Sequence, residues 1–213
     1  QVKALATEAV VALTSEQIDK LTAKQVGAMT TAQIKAIESD DLALMTTTQI
    51  AAIGTAGVAN LATDQVAALA SNQVAALTTA QVKALTTDSV VALSSTQIDK
   101  LTATQVAAMS SAQIKAIESD DLALMTDAQV AAISTAGIAN MSTDQVAALA
   151  SNQVAALTTA QVKALTTAEV EALSSTQIDK LTATQVRAMS AAQVAAIETD
   201  DLVVMTDAQV AAF

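Results

Sequence analysis

The hydrophobic residues of this chain recur with a period of eight. After residues 1–5, the chain divides into 26 octads without insertion or deletion, from residues 6–13 to residues 206–213. Position 5 of the octad is Val, Ile or Leu throughout, and position 8 is Leu, Ile or Met in 25 octads, with Phe213 in the last. Two positions three residues apart share a face of a helix but lie on opposite faces of a strand. The pattern therefore predicts a helix within each octad.

A single continuous helix does not fit this period. Eight residues over two turns give four per turn, whereas the α-helix has 3.6, so the apolar stripe would drift by about 80° per octad. A restart signal is present, because position 1 is Ser or Thr in 18 octads and position 4 is Gln in 18. Thr158 and Gln161 have the spacing of a capping box. Position 2 is also rich in Ser, Thr and Asp, so either position 1 or position 2 can be the N-cap.

Helices of about six residues are too short to be stable alone, so they must pack against their neighbours. We predict an all-α fold, an α-solenoid or superhelix with one very short helix per eight-residue repeat. Positions 5 and 8 should face inward and the Ser/Thr corners outward. Residues 1–213 are expected to form one continuous array without a linker. The methionines all occupy position 8 and are predicted to fill the core: Met29, Met45, Met109, Met125, Met141, Met189 and Met205.

A longer period of 80 residues overlies the octads. QVKAL begins at Gln1, Gln81 and Gln161, and SDDLALM begins at Ser39 and Ser119. Tandem duplication of a ten-octad block explains this period; the alternative is that ten octads make a whole number of superhelical turns. Glycine replaces the position-4 glutamine at residues 57 and 137, so those octads are predicted to be the least helical and most mobile.

Charge and hydropathy exclude several partners. The net charge is −11 with only ten basic residues, too few for the cationic track that binds nucleic acid. Thr, Ser and Gln interrupt every apolar run, which argues against membrane insertion.

The chain opens in mid-octad and stops at position 8, so we expect it to be a segment of a longer array whose neighbours are other domains of the same chain.

Catalytic side chains are scarce. The chain has no His and no Cys, which excludes the usual nucleophile–base pairs and zinc sites, so no enzyme and no cofactor are predicted. Three acidic clusters are weak candidates for calcium binding, because carboxylate oxygens suit this cation. The favoured alternative is that they complement helix N-terminal dipoles. The clusters consist of Glu38, Asp40 and Asp41; Glu118, Asp120 and Asp121; and Glu198, Asp200 and Asp201.

Adjacent Asp and Lys residues recur beside the core-facing row, as Asp19/Lys20, Asp99/Lys100 and Asp179/Lys180. Neighbouring residues on a helix do not face each other. Any ion pair is therefore expected to cross to another octad.

Residues 141–152, MSTDQVAALASN, resemble the first helix of a TAL-effector DNA-binding repeat. The proline after the cap, the 34-residue period, the base-reading loop and the basic face of that family are missing. The resemblance therefore implies shared capping chemistry and transfers no site.

LTTAQVKALTT at Leu77 and Leu157 resembles the Thr/Ala/Gln-rich short repeats of very large secreted or surface-anchored bacterial proteins, and the whole chain shares this composition. The resemblance implies an extracellular or cell-surface, adhesin-like setting. The predicted function is a non-enzymatic spacer or display stalk. The main alternative is a superhelical platform that binds a peptide, protein or glycan. An ice-binding Thr face and an engineered repeat protein are further alternatives.

Overall fold

The computed structural model describes all residues from Gln1 to Phe213 and contains helices but no strand. Each of the 26 octads contains one α-helix, as the periodicity predicts, and a 3-10 helix, Val2–Ala4, precedes them. The chain forms two compact units, Gln1–Ala108 and Met109–Phe213. None of the helices combines the length and the apolar character needed to span a bilayer.

The first unit contains α1 to α13, which all have four to six residues. In order they are Thr7–Val11, Ser15–Asp19, Ala23–Gly27, Thr31–Lys35, Ser39–Leu44, Thr47–Ala52, Thr55–Val58, Thr63–Ala68, Ser71–Ala75, Thr79–Ala84, Thr87–Val91, Ser95–Asp99 and Ala103–Ala108. The second unit contains α14 to α26, of the same lengths. In order they are Ser111–Lys115, Ser119–Leu124, Asp127–Ala131, Thr135–Ile138, Thr143–Ala148, Ser151–Ala156, Thr159–Ala164, Thr167–Glu171, Ser175–Lys180, Ala183–Ala188, Ala191–Ala195, Thr199–Leu202 and Asp207–Val210.

Extended residues at the octad boundary stop one helix and start the next. Leu165, at position 8, has φ −58° and ψ 139°, and Thr158, at position 1, has φ −69° and ψ 157°. No residue has a positive φ, so the turns require no glycine. Position 1 is the N-cap, because the Thr158 hydroxyl accepts from the backbone N–H of Gln161. The structure thus chooses between the two N-cap positions that the sequence leaves open.

Helices pack against the third helix along the chain within each unit. In the first unit α3 packs on α6 and α5 on α8; in the second, α15 packs on α18 and α19 on α22. Away from the array ends, the side chains at positions 5 and 8 are buried, as in Val162 and Leu165. Six of the seven methionines are buried with them, and Met29 is half-buried. The prediction of an all-α solenoid of short helices with an aliphatic core is confirmed.

The octads with glycine at position 4 have shorter helices than most, with four residues each in α7 and α17. The short helices agree with the low helicity that the sequence predicts for these octads, whereas their mobility stays a prediction. Gly57 and Gly137 are buried, and a Cβ atom on them would lie 2.9 Å from Ile53 Cγ2 and 2.7 Å from Ile133 Cγ2, respectively. These glycines therefore permit a close approach between neighbouring octads.

Replacing Gly137 by alanine is expected to lower the free energy of unfolding by about 1 kcal/mol. Overpacking against a stiff β-branched side chain costs about 1–3 kcal/mol, and the gain in helix propensity offsets about 1 kcal/mol of this. Urea denaturation measures the difference. The control is Gly54→Ser, where a Cβ meets no atom within 4 Å and the hydroxyl can cap α7 as Ser134 caps α17. Equal or greater stability of Gly137→Ala would contradict the close-packing interpretation.

Candidate functional site

The most developed polar arrangement in the molecule is formed by the glutamines at position 4. Gln161 is 2% exposed and uses both ends of its side-chain amide. Its Oε1 accepts from the backbone N–H of Thr158, the N-cap of its own helix, at 2.7 Å. Its Nε2 donates to the carbonyl oxygens of Ile133 at 2.7 Å and Val130 at 3.1 Å, four octads earlier. One amide therefore joins the beginning of one helix to the end of another.

This contact recurs along both units, and we call the set the glutamine ladder. Each member donates from Nε2 to the carbonyl oxygens of the residues 28 and 31 places earlier, at positions 8 and 5. The members are Gln33, Gln49, Gln65, Gln73, Gln81, Gln97 and Gln105 in the first unit, and Gln145, Gln153, Gln161, Gln177, Gln185, Gln193 and Gln209 in the second.

The ladder solves the main energetic problem of very short helices. Every helix leaves its first N–H and last C=O groups without intrahelical partners, and in a helix of five residues these are most of its backbone. A glutamine supplies an acceptor at the N-terminus and a donor for a distant C-terminus. Glutamate and methionine lack the donor, lysine lacks the acceptor, and asparagine is one methylene shorter. The ladder thus explains why glutamine predominates at position 4.

Sequence reasoning assigned these glutamines only to the capping box and missed the Nε2 contacts. A signal was present, because a capping box accepts Glu as readily as Gln. Among the 26 octads, however, Glu occupies position 4 once and Gln 18 times. That imbalance indicates that the position needs a hydrogen-bond donor as well as an acceptor.

Glu169 is the one glutamate in this position, and it is 2% exposed. Its Oε2 accepts from the backbone N–H of Thr166, so the capping function is retained. Its Oε1 is buried and has no hydrogen-bond partner. The residues 28 and 31 places earlier, Met141 and Ile138, therefore receive no amide donor from this octad. Glu169 is a break in the ladder of the second unit.

The three acidic clusters lie at the beginnings of α5, α15 and α25. In each cluster the glutamate is the exposed N-cap residue. The first aspartate is also exposed, and the second aspartate is buried at position 4. Asp201 Oδ1 accepts from Ser175 Oγ at 2.6 Å. No group of three or more carboxylates converges in a way that could hold a metal ion. The positions are those that complement a helix dipole.

Calcium binding by the clusters stays a prediction, which a titration followed by melting temperature checks. Because the carboxylates do not converge, we expect calcium to leave the melting temperature unchanged at an ionic strength held constant with NaCl. A rise that Glu118→Gln and Asp120→Asn together abolish would show a calcium site at α15.

The prediction that the Asp–Lys ion pairs cross to another octad is wrong. Each lysine pairs with the aspartate next to it, with Nζ–Oδ2 distances of 2.9 Å at Lys20, 2.7 Å at Lys100 and 2.8 Å at Lys180. These lysines lie at the last turn or the C-cap, where the long side chain can fold back past the end of the helix. The lysine side chains are more than half exposed, so each pair contributes little stability.

Three ladder octads lack a hydroxyl at the N-cap. Ala62, Ala70 and Ala150 donate their backbone N–H to the position-4 glutamine, but no side chain accepts in return. Ala150→Ser should raise the free energy of unfolding by about 1 kcal/mol, because it adds the missing N-cap acceptor. Thr158→Ala is the reverse control and should lose a similar amount. Denaturant midpoints measure both, and no gain for Ala150→Ser would contradict the capping assignment.

Comparison with protein families gives a consistent result. The model of the ALTTAQ repeat matches residues 1–31, 34–71, 58–95, 66–103, 114–151, 122–159 and 146–183. Together these matches span well over half of the chain, so the protein belongs to the ALTTAQ repeat family. No individual curated protein matches it. The tandem-repeat region predicted from the octads is thereby confirmed, and the protein is a structural repeat protein of short helices.

Proposed function

We propose that the chain is a non-enzymatic spacer or display segment of a larger bacterial surface or secreted protein. The observation that carries the proposal is the glutamine ladder. The most elaborate polar chemistry in the structure is the ladder, in which each glutamine side chain makes three hydrogen bonds, as in Gln33, to five, as in Gln49. These bonds hold octads to one another. The buried amides of the ladder are thus used to stabilise the array.

The outward-facing positions agree with this role. Positions 3 and 6 of the octad carry mainly Ala, Lys, Asp and Thr, and the only aromatic residue of the chain is Phe213. Binding surfaces usually depend on a few aromatic or arginine anchors. The surface or secreted setting rests on the likeness of LTTAQVKALTT to repeats of such bacterial proteins. A spacer of this kind would hold neighbouring domains of the same chain at a defined separation.

Distance measurements test the spacer role. The chain has no cysteine, so spin labels can be placed on cysteines introduced at exposed position-3 alanines 80 residues apart: Ala32, Ala112 and Ala192. In a spacer the octads add length in proportion to their number. The separation between labels at 32 and 192 should therefore be about twice that between labels at 32 and 112. If the labels at 32 and 192 are no farther apart than the labels at 32 and 112, the proposal is contradicted.

A further inference from the structure

Two interior octads of the second unit take no part in the glutamine ladder. They are residues 134–141, which contain α17, and residues 166–173, which contain α21. Every other octad from residue 110 to residue 197 gives or receives a ladder hydrogen bond. We call these two octads the seam. Both lie inside the array, with folded octads before and after them.

The position-4 residues Gly137, Glu169 and Asp201 cause this gap, and they lie 32 residues apart. Glycine has no side chain, and a carboxylate has no hydrogen to donate. Thirty-two residues are four octads, which is also the step of the ladder. Glu169 therefore occupies the position that would bond to the α17 octad, and Asp201 the position that would bond to the α21 octad. Because the three residues are spaced by the ladder step, their gaps fall on the same octads.

The polar groups of the seam bond within their own octads. In the α17 octad, Asn140 Nδ2 donates to the carbonyl oxygen of Ala136 at 2.8 Å. In the α21 octad, Glu169 Oε2 accepts from the backbone N–H of Thr166, and its buried Oε1 has no partner. No side-chain hydrogen bond joins either seam octad to another octad. Movement of the seam therefore breaks no side-chain hydrogen bond between octads.

Apolar burial is the same in the seam as in the ladder octads. Val170 of the seam is 1% exposed and Val162 of the preceding ladder octad 0%. Leu173 and Leu165, at position 8 of the same two octads, are both buried. The two kinds of octad thus differ mainly in the hydrogen bonds that join them to other octads. Regions with fewer stabilising contacts open at a lower free energy than the whole molecule.

An equivalent gap occurs 80 residues earlier, in the first unit. The corresponding position-4 residues are Gly57 and Ser89. Ser89 Oγ pairs with Thr86 Oγ1 at 2.8 Å, within its own octad, and makes no bond to the Gly57 octad. Serine and glutamate share neither size nor charge. What recurs is therefore the missing bond between octads and not a particular side chain.

We propose that the seam is a point of local opening, at which α17 and α21 open while the ladder octads around them stay folded. Only the apolar contacts of the seam and its short helices resist this opening. Local opening goes beyond the spacer role, because it lets the array yield at the seam while the ladder stays intact.

Native-state hydrogen exchange of the complete 213-residue chain tests the proposal with matched backbone amides. Val170 and Val162 are both buried, and each donates its N–H to the N-cap carbonyl of its own octad, at 3.0 and 2.9 Å. We expect the Val170 amide to exchange about 100-fold faster than the Val162 amide, because hydrogen bonds between octads are missing only in the seam. Its rate should also depend less on low urea concentrations, since local opening exposes little surface. Equal rates for the two amides would overturn the proposal.

Two variants separate local from global opening. Gln185→Glu removes the donor to the carbonyl oxygens of Val154 and Leu157, in octads that do not pack on α21. It should speed exchange of the Val154 amide about tenfold and leave that of Val170 unchanged. An equal increase at Val170 would show that α21 opens only when the ladder octads open, and the proposal would be wrong.

Glu169→Gln restores a donor between the two seam octads. It should slow exchange of the Val170 and Ile138 amides about tenfold. Glu171→Gln removes the same charge from an exposed position of α21 and should change neither rate. An unchanged Val170 rate in Glu169→Gln, or equal slowing in Glu171→Gln, would contradict the role of the missing bond. Exchange rates do not depend on the label separations that test the spacer role, so the two proposals can fail separately.

Discussion

Gln161→Glu is expected to lower the free energy of unfolding by about 3 kcal/mol. The two side chains have the same shape, and a glutamate at this position still caps its own helix, as Glu169 does. What is lost is the donor to the carbonyl oxygens of Val130 and Ile133. A lost hydrogen bond costs about 1 kcal/mol, and a buried acceptor left without a partner costs a further 1–3 kcal/mol.

Urea denaturation gives the overall loss for Gln161→Glu, and native-state hydrogen exchange shows where it falls. In the Gln161→Glu variant, the backbone amides that exchange faster should include those of residues 130–133, which are distant in sequence but joined to Gln161 by the ladder. Gln17→Glu is the matched control, because the Gln17 Nε2 makes no hydrogen bond, and it should change stability by less than about 0.5 kcal/mol. A loss for Gln17→Glu as large as that for Gln161→Glu would place the effect in the cap and not in the ladder.

The reverse substitution, Glu169→Gln, should raise the free energy of unfolding by about 1–3 kcal/mol. It replaces the unpartnered Oε1 with an Nε2 that can donate to the carbonyl oxygens of Ile138 and Met141, as the equivalent atom does in neighbouring ladder octads. Few single substitutions stabilise a protein by this much, because most remove a contact and do not complete one.

The control for Glu169→Gln is Glu171→Gln, which removes the same charge from an exposed position of the same helix. Its effect on the denaturant midpoint should be small, since surface charges contribute little. If the two variants are equally stable, the gain comes from the net charge of the chain, and the ladder has no part in it.

The fold could be predicted from the sequence because each octad repeats the same local signals. Val162 and Leu165 define the buried face, and Thr158 defines the helix start, which together predict one short helix per octad and an aliphatic core. These signals act within eight residues, where helix periodicity and capping chemistry are sufficient.

The contacts between octads could not be predicted in the same way. Whether Gln161 reaches Ile133 depends on how many octads complete a turn, and side-chain packing across the stack determines that number. The structure shows packing on the third helix and hydrogen bonding to the fourth octad, so a turn contains between three and four octads. The side-chain conformation of Lys20 was missed for a related reason, since the helix ends beside it and the rule for helical neighbours no longer applies.

The central claim is that one glutamine amide joins two helices four octads apart, and its most direct test is the exchange rate of the glutamine side-chain amides. In a dilute sample labelled with ¹⁵N-glutamine, the Nε2 protons of ladder members such as Gln153 and Gln161 should exchange far more slowly than those of Gln17 and Gln25. Gln17 and Gln25 cap their own helices through Oε1 but make no hydrogen bond through Nε2, so they serve as internal controls in the same chain. If all of these side chains exchange at the rate of a solvent-exposed glutamine, the ladder does not hold the octads together.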